Sequence, residues 1–396
     1  MFSLERSFHH IYLLGKKSHG LKALMVNFLL SQFGVGMVTG FGVLFLFQLF
    51  TDFYQSIILV VTFYIFERLI VAISVPLVAH LVSIYGHRKM MIFGLISLLI
   101  KIWLFTLASP TLLFWPLVLA GIFGGISISA YYLPFHTLFL EDDTDSKIGE
   151  QMGFITMLGR AAWLAGPALA GFIVDQFSFD AMFMIVILFI ALSTLPLLTM
   201  KSHIRHTGLY SLRKVTHLII DKPSFTWSVF FWYFTEAIQT LFWPIFLLAI
   251  LGNYTTFGII TSAVMVLNSL AVYWGGKKYD KAANQGLFFS SGLVVSISWL
   301  MRFIATTPIS AIAADSINHF SSPLWWMKIR RLELVTGEKQ DGLVFAAAHE
   351  LVVTAAYILA LILGYIILTK TVLIWTWFIP ITIMSTLAGT LAIRNK

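Results

Sequence analysis

The chain has 396 residues, of which 59% are apolar and only 11% are charged, and its mean hydropathy is +0.88. A soluble domain carries about 25% charged residues, so this composition excludes a soluble globular protein and indicates an integral membrane protein. The net charge of +8 is spread over many short loops, which excludes the basic patch of a typical nucleic-acid-binding protein. The absence of cysteine excludes disulfides, thiolate metal sites and a cysteine nucleophile.

The chain from Met1 to Gly20 is amphiphilic and lacks the apolar core and cleavage site of a secretory signal peptide. We therefore expect no cleaved signal and infer that the first span directs insertion. A membrane-crossing helix needs about 20 mostly apolar residues, and twelve stretches meet this requirement. The predicted spans 1 to 12 run near residues 23–50, 55–80, 90–109, 112–139, 151–174, 181–200, 224–251, 255–275, 286–306, 308–327, 343–369 and 371–392.

Basic residues are concentrated in alternate gaps between these spans. Of the 26 Lys and Arg residues, 21 fall in the two chain tails and in the gaps after spans 2, 4, 6, 8 and 10. Basic loops remain on the cytoplasmic side during insertion, so the alternation predicts that both termini are cytoplasmic. The exceptions are one residue in an opposite gap and four inside spans: Lys370, Arg68, Lys101, Arg160 and Arg302.

Span 10 is the weakest prediction because it contains Asp315, Asn318 and His319. Removing it would transfer the following basic residues and the C-terminal tail to the outer side, against the charge rule, so we retain twelve spans. Asp315 and His319 are four residues apart and share a helix face. With no third ligand beside them, we expect no metal site.

A polar segment near the middle of the chain separates two sets of six spans. It predicts an N-terminal six-helix bundle at 1–200, a cytoplasmic linker at 201–222 and a C-terminal six-helix bundle at 223–396. The stretch Phe33–Phe45 aligns without gaps on Phe234–Phe246 and shares four residues with it. The sequence therefore predicts an all-α membrane fold of two pseudo-symmetric halves, as in many secondary transporters.

The loop between spans 2 and 3 carries Gly86, Arg88 and Lys89. This stretch resembles the loop signature of the major facilitator superfamily, in which a Gly, an Asp-Arg pair and a second Gly precede basic residues. Ala79 and Ser83 stand where the signature has its first Gly and its Asp. The resemblance implies that Gly86 and Arg88 belong to a latch that bridges helix ends in one state of a transport cycle.

The corresponding loop of the second half carries Gly276 and Asp280, which match the same signature, whereas Ala283 replaces its later Gly. Span 5 carries Gly166-Pro167 followed by Ala170-Gly171, which resembles a second motif of the superfamily, Gly-Pro-x-x-Gly-Gly. Small residues permit close helix packing and proline bends a helix, so the resemblance implies that this motif serves packing and bending. The span-4 Arg of drug/proton antiporters is absent from residues 120–126.

The resemblance further implies a central cavity lined by spans 1, 4, 7 and 10, with help from spans 2, 5, 8 and 11. Ionisable side chains at membrane depth are costly, so they usually face such a cavity or a partner. Glu236 of span 7, beside Gln239, can take up a proton or pair with a cation. Arg160 of span 5 can hold a substrate carboxylate or phosphate with its planar fork, or pair with an acid on another helix.

Aromatic and histidine side chains extend this candidate site. Tyr132, Trp163 and Trp243 lie on spans expected to border the cavity, where they either stack on a substrate or simply pack. His136, near the cytoplasmic end of span 4, either shuttles protons or is a satisfied buried histidine.

Three further groups of polar residues have both functional and structural interpretations. Glu67 and Arg68 are adjacent on span 2 and point in different directions, so at least one needs a partner elsewhere. Arg302 lies near the outer end of span 9 and is a second cationic candidate, which either extends its side chain to water or pairs with an acidic residue on another helix. His349, which precedes a glutamate on span 11, either belongs to a cytoplasmic gate or is structural.

Together these features predict a secondary active transporter that moves a small organic solute by alternating access, with a proton as the candidate coupling ion. No phosphate-binding loop of the Gly-rich Lys-Ser/Thr type occurs, which argues against direct use of ATP. We expect no enzymatic activity, no cofactor and no nucleic-acid partner, and a monomer in the cytoplasmic (inner) membrane of a prokaryote. Two alternatives remain: a non-transporting protein of the same fold that acts as a sensor or assembly partner, and a membrane enzyme acting on lipid.

Overall fold

The computed structural model describes residues 19–141, 148–200, 211–279, 285–337, 341–368 and 375–392, which are almost entirely α-helical. Span 1 consists of α1 (His19–Val38) and α2 (Phe41–Gln48), and spans 2 to 6 are α3 (Phe53–Tyr85), α4 (His87–Leu107), α5 (Phe114–Glu141), α6 (Ile148–Gln176) and α7 (Phe179–Thr199). A short helix, α8 (Leu212–Asp221), precedes span 7. Span 7 consists of α9 (Pro223–Leu241) and α10 (Trp243–Leu251), and spans 8 to 12 are α11 (Tyr254–Tyr279), α12 (Gln285–Phe303), α13 (Pro308–Gly337), α14 (Gly342–Leu368) and α15 (Trp375–Ala392).

All twelve predicted spans occur in the described part of the chain. Nine of them, as far as they are described, are long and apolar enough to cross a bilayer by length and composition alone. Spans 5, 10 and 12 fall outside that group but pack within the same bundle. Span 5 lies against spans 1 and 8, span 10 against spans 8 and 9, and span 12 against spans 7 and 9.

The two halves use the same set of helix contacts. In the N-terminal half the main packed pairs are spans 1–5, 1–6, 2–4, 3–4 and 3–6. In the C-terminal half the main pairs are spans 7–11, 7–12, 8–10, 9–10 and 9–12, which are the same pairs shifted by six. This correspondence is the pseudo-symmetry expected of duplicated six-helix units.

Spans 1 and 7 each break into two helices at corresponding positions, which the sequence analysis does not predict. Span 1 breaks at Gly40, whose φ of 81° belongs to the left-handed region that glycine adopts without strain. Span 7 breaks at Phe242, two residues before Pro244, because proline supplies no N–H and crowds the preceding turn. In the gapless alignment of the halves, Phe242 matches Phe41, the residue after Gly40.

Span 10 is longer than its predicted limits of 308–327, since its helix continues to Gly337. The sequence-based boundary falls before Lys328 because charged residues normally indicate a loop. In the structure, Arg330 Nη1 lies 2.6 Å from Glu333 Oε2 on the next turn of the same helix. The helix therefore continues because its charges are paired inside the bundle.

The halves meet along two long seams, between spans 5 and 8 and between spans 2 and 11. On the first seam, a Cβ placed on Gly258 would overlap the carbonyl group of Pro167, so only glycine allows this approach. Ser262 Oγ accepts a hydrogen bond from Ala168 N across the same seam at 3.0 Å. Small residues thus bring the two halves into backbone contact.

The bundle has a basic end, where Lys22, Arg88 and Lys222 lie, and an opposite end, where the loops are short. At the opposite end, Asp175 of span 5 crosses between the halves and caps span 8, its carboxylate accepting from Thr255 N at 2.6 Å and from Tyr254 N at 3.3 Å. A carboxylate at a helix N-terminus satisfies free N–H groups and favours the helix dipole. The opposite end is therefore closed by polar contacts between the halves.

Candidate substrate site

On the N-terminal half, one amide and two aromatic side chains are joined by hydrogen bonds within the membrane-spanning region. Trp163 of span 5 donates its indole N–H to Gln32 Oε1 at 3.1 Å. Gln32 of span 1 in turn donates its amide to the Tyr132 hydroxyl of span 4 at 3.4 Å. Two of these residues are predicted site residues, and Gln32, which joins them, is not. Amide, indole and phenol groups at this depth can hydrogen-bond a hydroxylated solute.

On the C-terminal half, a second polar group follows spans 7 and 10. Gln239 Nε2 lies 3.2 Å from His319 Nε2, and His319 Nε2 lies 3.8 Å from Asp315 Oδ1. The predicted shared face of Asp315 and His319 is confirmed by that distance. Glu236 lies one turn before Gln239 on span 7 and is partly buried. The structure therefore brings the predicted pair Glu236 and Gln239 close to His319, which the sequence analysis does not select as a site residue.

Arg302 of span 9 contacts this group at Asp315, and it is only 1% exposed. Its Nη2 atom lies 2.5 Å from Asp315 Oδ1, and its guanidinium carbon lies 4.3 Å from the ring centroids of both Trp243 and Trp299. Of the two alternatives for Arg302, the ion pair with an acid on another helix is confirmed and extension to water is wrong, because Asp315 and two indoles enclose the side chain. Trp243, which is predicted to border the cavity, is 3% exposed and is stacked on Arg302 in this structure.

Between these two groups, Arg68 of span 2 crosses to the C-terminal half. Its guanidinium carbon lies 3.8 Å from the ring centroid of Tyr357 on span 11. Glu236 acts electrostatically on the hydroxyl group of the same tyrosine. Arg68 Nε is buried and has no hydrogen-bond partner among the described residues. The seam between spans 2 and 11 thus places a cation, a phenol and a carboxylate near one another.

The neighbouring Glu67 points towards span 3, where it forms an ion pair within the N-terminal half. Its Oε1 atom lies 2.5 Å from Lys101 Nζ on span 3, and the glutamate is almost fully buried. Gly124 of span 4 packs so closely that a Cβ there would overlap the carboxylate. The prediction that adjacent Glu67 and Arg68 point in different directions is confirmed, since they face span 3 and span 11 respectively.

Near the basic end, histidines from the two halves face each other. The rings of His136 on span 4 and His349 on span 11 are 5.7 Å apart. His349 Nε2 lies 3.6 Å from Glu333 Oε1, and His349 Nδ1 lies 3.7 Å from Glu350 Oε1. Both glutamates are buried, so this cluster forms a compact charged contact between the halves.

The structure places the predicted latch and packing residues at tight contacts. Gly86 has a φ of 82° at the turn between spans 2 and 3, and Arg88 Nη1 donates to the Met200 carbonyl at the end of span 6 at 2.6 Å. A Cβ on Gly166 would lie 3.2 Å from backbone atoms of span 1. Pro167 lies on the seam with span 8.

Three predicted residues have no described surroundings. Arg160 and Gly276 lie within the helices of spans 5 and 8, and the Arg160 side chain is outside the described part of the structure. Asp280 lies outside the described residues altogether. Their predicted roles stay predictions.

No family model matches the chain, and no protein of curated function matches it. Solved transporter structures do match it over nearly its whole length. The major facilitator superfamily transporter FucP in its outward conformation is 13% identical over 96% of this chain and 99% of its own, with a TM-score of 0.67. A second structure, of the Escherichia coli fucose:proton symporter FucP, is 12% identical with the same coverages and the same TM-score.

A D-xylose-proton symporter is 14% identical over 94% of this chain and 96% of its own, with a TM-score of 0.71. Identities this low establish the fold and leave the activity to be argued from the site. These matches agree with the helix order and the pseudo-symmetric contacts described above. The chain therefore has the twelve-helix, two-half fold of the major facilitator superfamily.

Proposed function

We propose that this protein is a secondary active transporter that moves a small organic solute, together with protons, by alternating access. One observation carries the proposal: polar and ionisable side chains from both halves converge in the membrane-spanning region on the seam between them. Such groups are costly in a bilayer and normally line a substrate or ion pathway. The similar solved structures are sugar–proton symporters, which supports a polar solute and a proton as the transported pair.

The contacts at the two ends suit alternating access. At the opposite end, Tyr254 OH donates to Gln48 Oε1 at 3.0 Å and Asp175 caps span 8. At the basic end, His136 and His349 bring spans 4 and 11 together. Each set consists of a few polar contacts between the halves, in addition to the two seams along which the halves pack. Opening one set while keeping the other would expose the central groups to one side at a time.

The central residues have separate roles in this scheme. Gln32, Tyr132 and Trp163 bind the solute from the N-terminal half, and Gln239 binds it from the C-terminal half. Glu236 takes up the coupling proton, because a carboxylate held away from water can exchange a proton as its surroundings change. Arg88 belongs to the latch at the basic end, and Gly166 and Pro167 shape the seam on which the halves rock.

The distribution of basic residues supports an orientation in the membrane. The basic end faces the cytoplasm, so both chain termini are cytoplasmic, and the membrane is the inner membrane of a prokaryote. The halves correspond to residues 1–200 and 223–396, joined by a cytoplasmic linker at 201–222. Each chain works as a monomer, since the pathway lies between its own two halves.

The proposal is tested by solute-driven proton movement in proteoliposomes containing a trapped pH-sensitive dye. Neutral hexoses and pentoses, their corresponding sugar acids and short organic acids are added one at a time to the purified, reconstituted protein. We expect at least one of these solutes to change the internal pH, and we expect Glu236→Gln to abolish that change.

Asp52→Asn is the matched control, because Asp52 is an exposed helix cap outside the site and asparagine also caps helices. It should retain full proton movement. Absence of flux for every solute, with a second protein co-purifying in defined proportion, would support the sensor or assembly alternative. Proton movement that persists at full rate in Glu236→Gln would remove Glu236 from the coupling role.

A further inference from the structure

Arg68 differs from three other cations in the described spans. Lys101, Arg302 and Arg330 each lie 2.5 to 2.6 Å from a carboxylate oxygen. Arg68 makes no ion pair with any described residue, and its Nε atom is buried without a hydrogen-bond partner. An unpaired cation at membrane depth is costly, so it normally faces a partner or a ligand pathway. A cation that has no ion-pair partner among the described residues is suited to receive a counter-charge from a ligand.

The way Arg68 is held leaves its binding edge available. The guanidinium carbon sits 3.8 Å from the ring centroid of Tyr357, so the face of the group is used for stacking. A guanidinium carries five N–H donors around its edge, and these match the two oxygens of a carboxylate. Stacking on an aromatic ring also fixes its orientation, which reduces the entropy lost on binding an anion.

The surroundings of Arg68 indicate the rest of the ligand. Arg68 stacks on Tyr357 of span 11 and is within electrostatic range of the Tyr132 hydroxyl, which belongs to the N-terminal polar group. Tyr132 is hydrogen-bonded to Gln32, which also binds Trp163. These amide, phenol and indole groups can bind hydroxyls, and one guanidinium matches one negative charge.

We propose that the transported solute is a hydroxylated monocarboxylate, such as a sugar acid, whose carboxylate binds Arg68 while its hydroxyl groups bind the Gln32 side of the site. This inference rests on the proposed transport function and names its substrate class. Glu236, on the same half as Tyr357, is close enough to interact electrostatically with its hydroxyl group and, when ionised, opposes an anion there. A proton on Glu236 removes that repulsion, so the anion and the proton bind together and cross without net charge.

The test compares ligands that differ only in the carboxylate. Binding of D-galacturonate and D-galactose, and of D-gluconate and D-glucitol, is measured by calorimetry on the full-length protein in detergent. We expect one acid to bind 10- to 100-fold more tightly than its neutral partner. We expect Arg68→Gln to abolish that preference and Arg68→Lys, which keeps the charge without the planar fork, to retain part of it.

Arg213→Gln, the same change on the exposed helix α8, is the matched control and should leave the preference intact. Melting temperatures establish that each variant is folded, and if Arg68→Gln is not folded then Arg68→Lys decides the question. Equal binding of acid and neutral sugar, an unchanged preference in a folded Arg68 variant, or no binding of either acid would overturn the inference. If neutral sugars alone drive proton movement, the transport proposal stands while the substrate class is wrong.

Discussion

At the scale of single residues, the charges inside the spans fall into two kinds. Glu67 and Arg302 are enclosed with partners of opposite charge, whereas Arg68 reaches the seam between the halves. The sequence shows that each of these residues is costly in a bilayer, but it does not show which is neutralised. Arg302 illustrates this limit. Its position near the outer end of span 9 is compatible with access to water as well as with an ion pair, and only the fold reveals Asp315 and two indoles around it.

The pair formed by Glu67 and Lys101 should therefore support stability rather than transport. Glu67→Gln leaves Lys101 as a buried unpaired cation, and breaking a buried pair in this way costs about 3–5 kcal/mol. We expect a clear fall in melting temperature, measured by differential scanning fluorimetry in detergent. Changing both residues together, Glu67→Gln with Lys101→Met, should recover much of that loss. If the double variant is as unstable as the worse single variant, the loss of stability does not come from leaving Lys101 unpaired.

At the scale of helices, the sequence predicts which elements exist better than where they break or end. The apolar stretches predict twelve spans, the charge alternation retains the weakest of them, and all twelve occur in the described residues. The extension of span 10 escapes prediction because Arg330 resembles a loop residue until its pairing with Glu333 is known. Tyr357 carries no signal of its own, since tyrosine is common in spans, and only the packing of span 11 on span 2 brings it beneath Arg68.

The seam between spans 5 and 8 should tolerate glycine replacement only where the structure leaves room. A Cβ on Gly258 would overlap the Pro167 carbonyl, whereas the nearest atom to a Cβ on Gly342, on the interface between spans 4 and 11, lies 3.4 Å away. Overpacking typically costs about 1–3 kcal/mol, so Gly258→Ala should lower the melting temperature and slow transport. Gly342→Ala, at an ordinary van der Waals distance, is the matched control. Equal behaviour of the two variants would contradict the close contact at Gly258.

At the opposite end of the bundle, Asp175 of span 5 caps the N-terminus of span 8 and so links the two halves. Asp175→Ala removes a carboxylate that accepts two backbone hydrogen bonds from the other half, and losing a helix cap costs about 0.5–2 kcal/mol. This loss should shift the protein towards the conformation that is open at the opposite end. Labelling of a single cysteine introduced at Thr255, a half-buried side chain at this end, would measure the shift as faster modification. Ser178→Ala, which removes a cap within one half, should leave that labelling rate unchanged.

At the scale of the whole molecule, most helix contacts lie within one half, and a change of conformation has to break only the contacts between the halves. Within each half the same five helix pairs hold six spans together, while the halves meet on two seams and at the two ends. This arrangement favours movement of each half as a unit, because the contacts within a half are more extensive than those between the halves. The resemblance in the loops and in span 5 predicts this architecture, but the residues that close each end become visible only when the helices are packed.

A lock at the basic end tests whether the halves move in this way, and the absence of native cysteine makes the experiment clean. Thr137 of span 4 and Gly342 of span 11 face each other, and a Cβ on Gly342 would lie 3.8 Å from Thr137 Cα. The same Cβ would lie 3.4 Å from Thr137 Cγ2, so cysteines at these two positions would be close enough to form a disulfide. Oxidation of the variant Thr137→Cys/Gly342→Cys should stop solute flux in proteoliposomes, and a reducing agent should restore it. Each single-cysteine variant should be insensitive to both treatments, and undiminished flux through the crosslinked protein would exclude opening at this end.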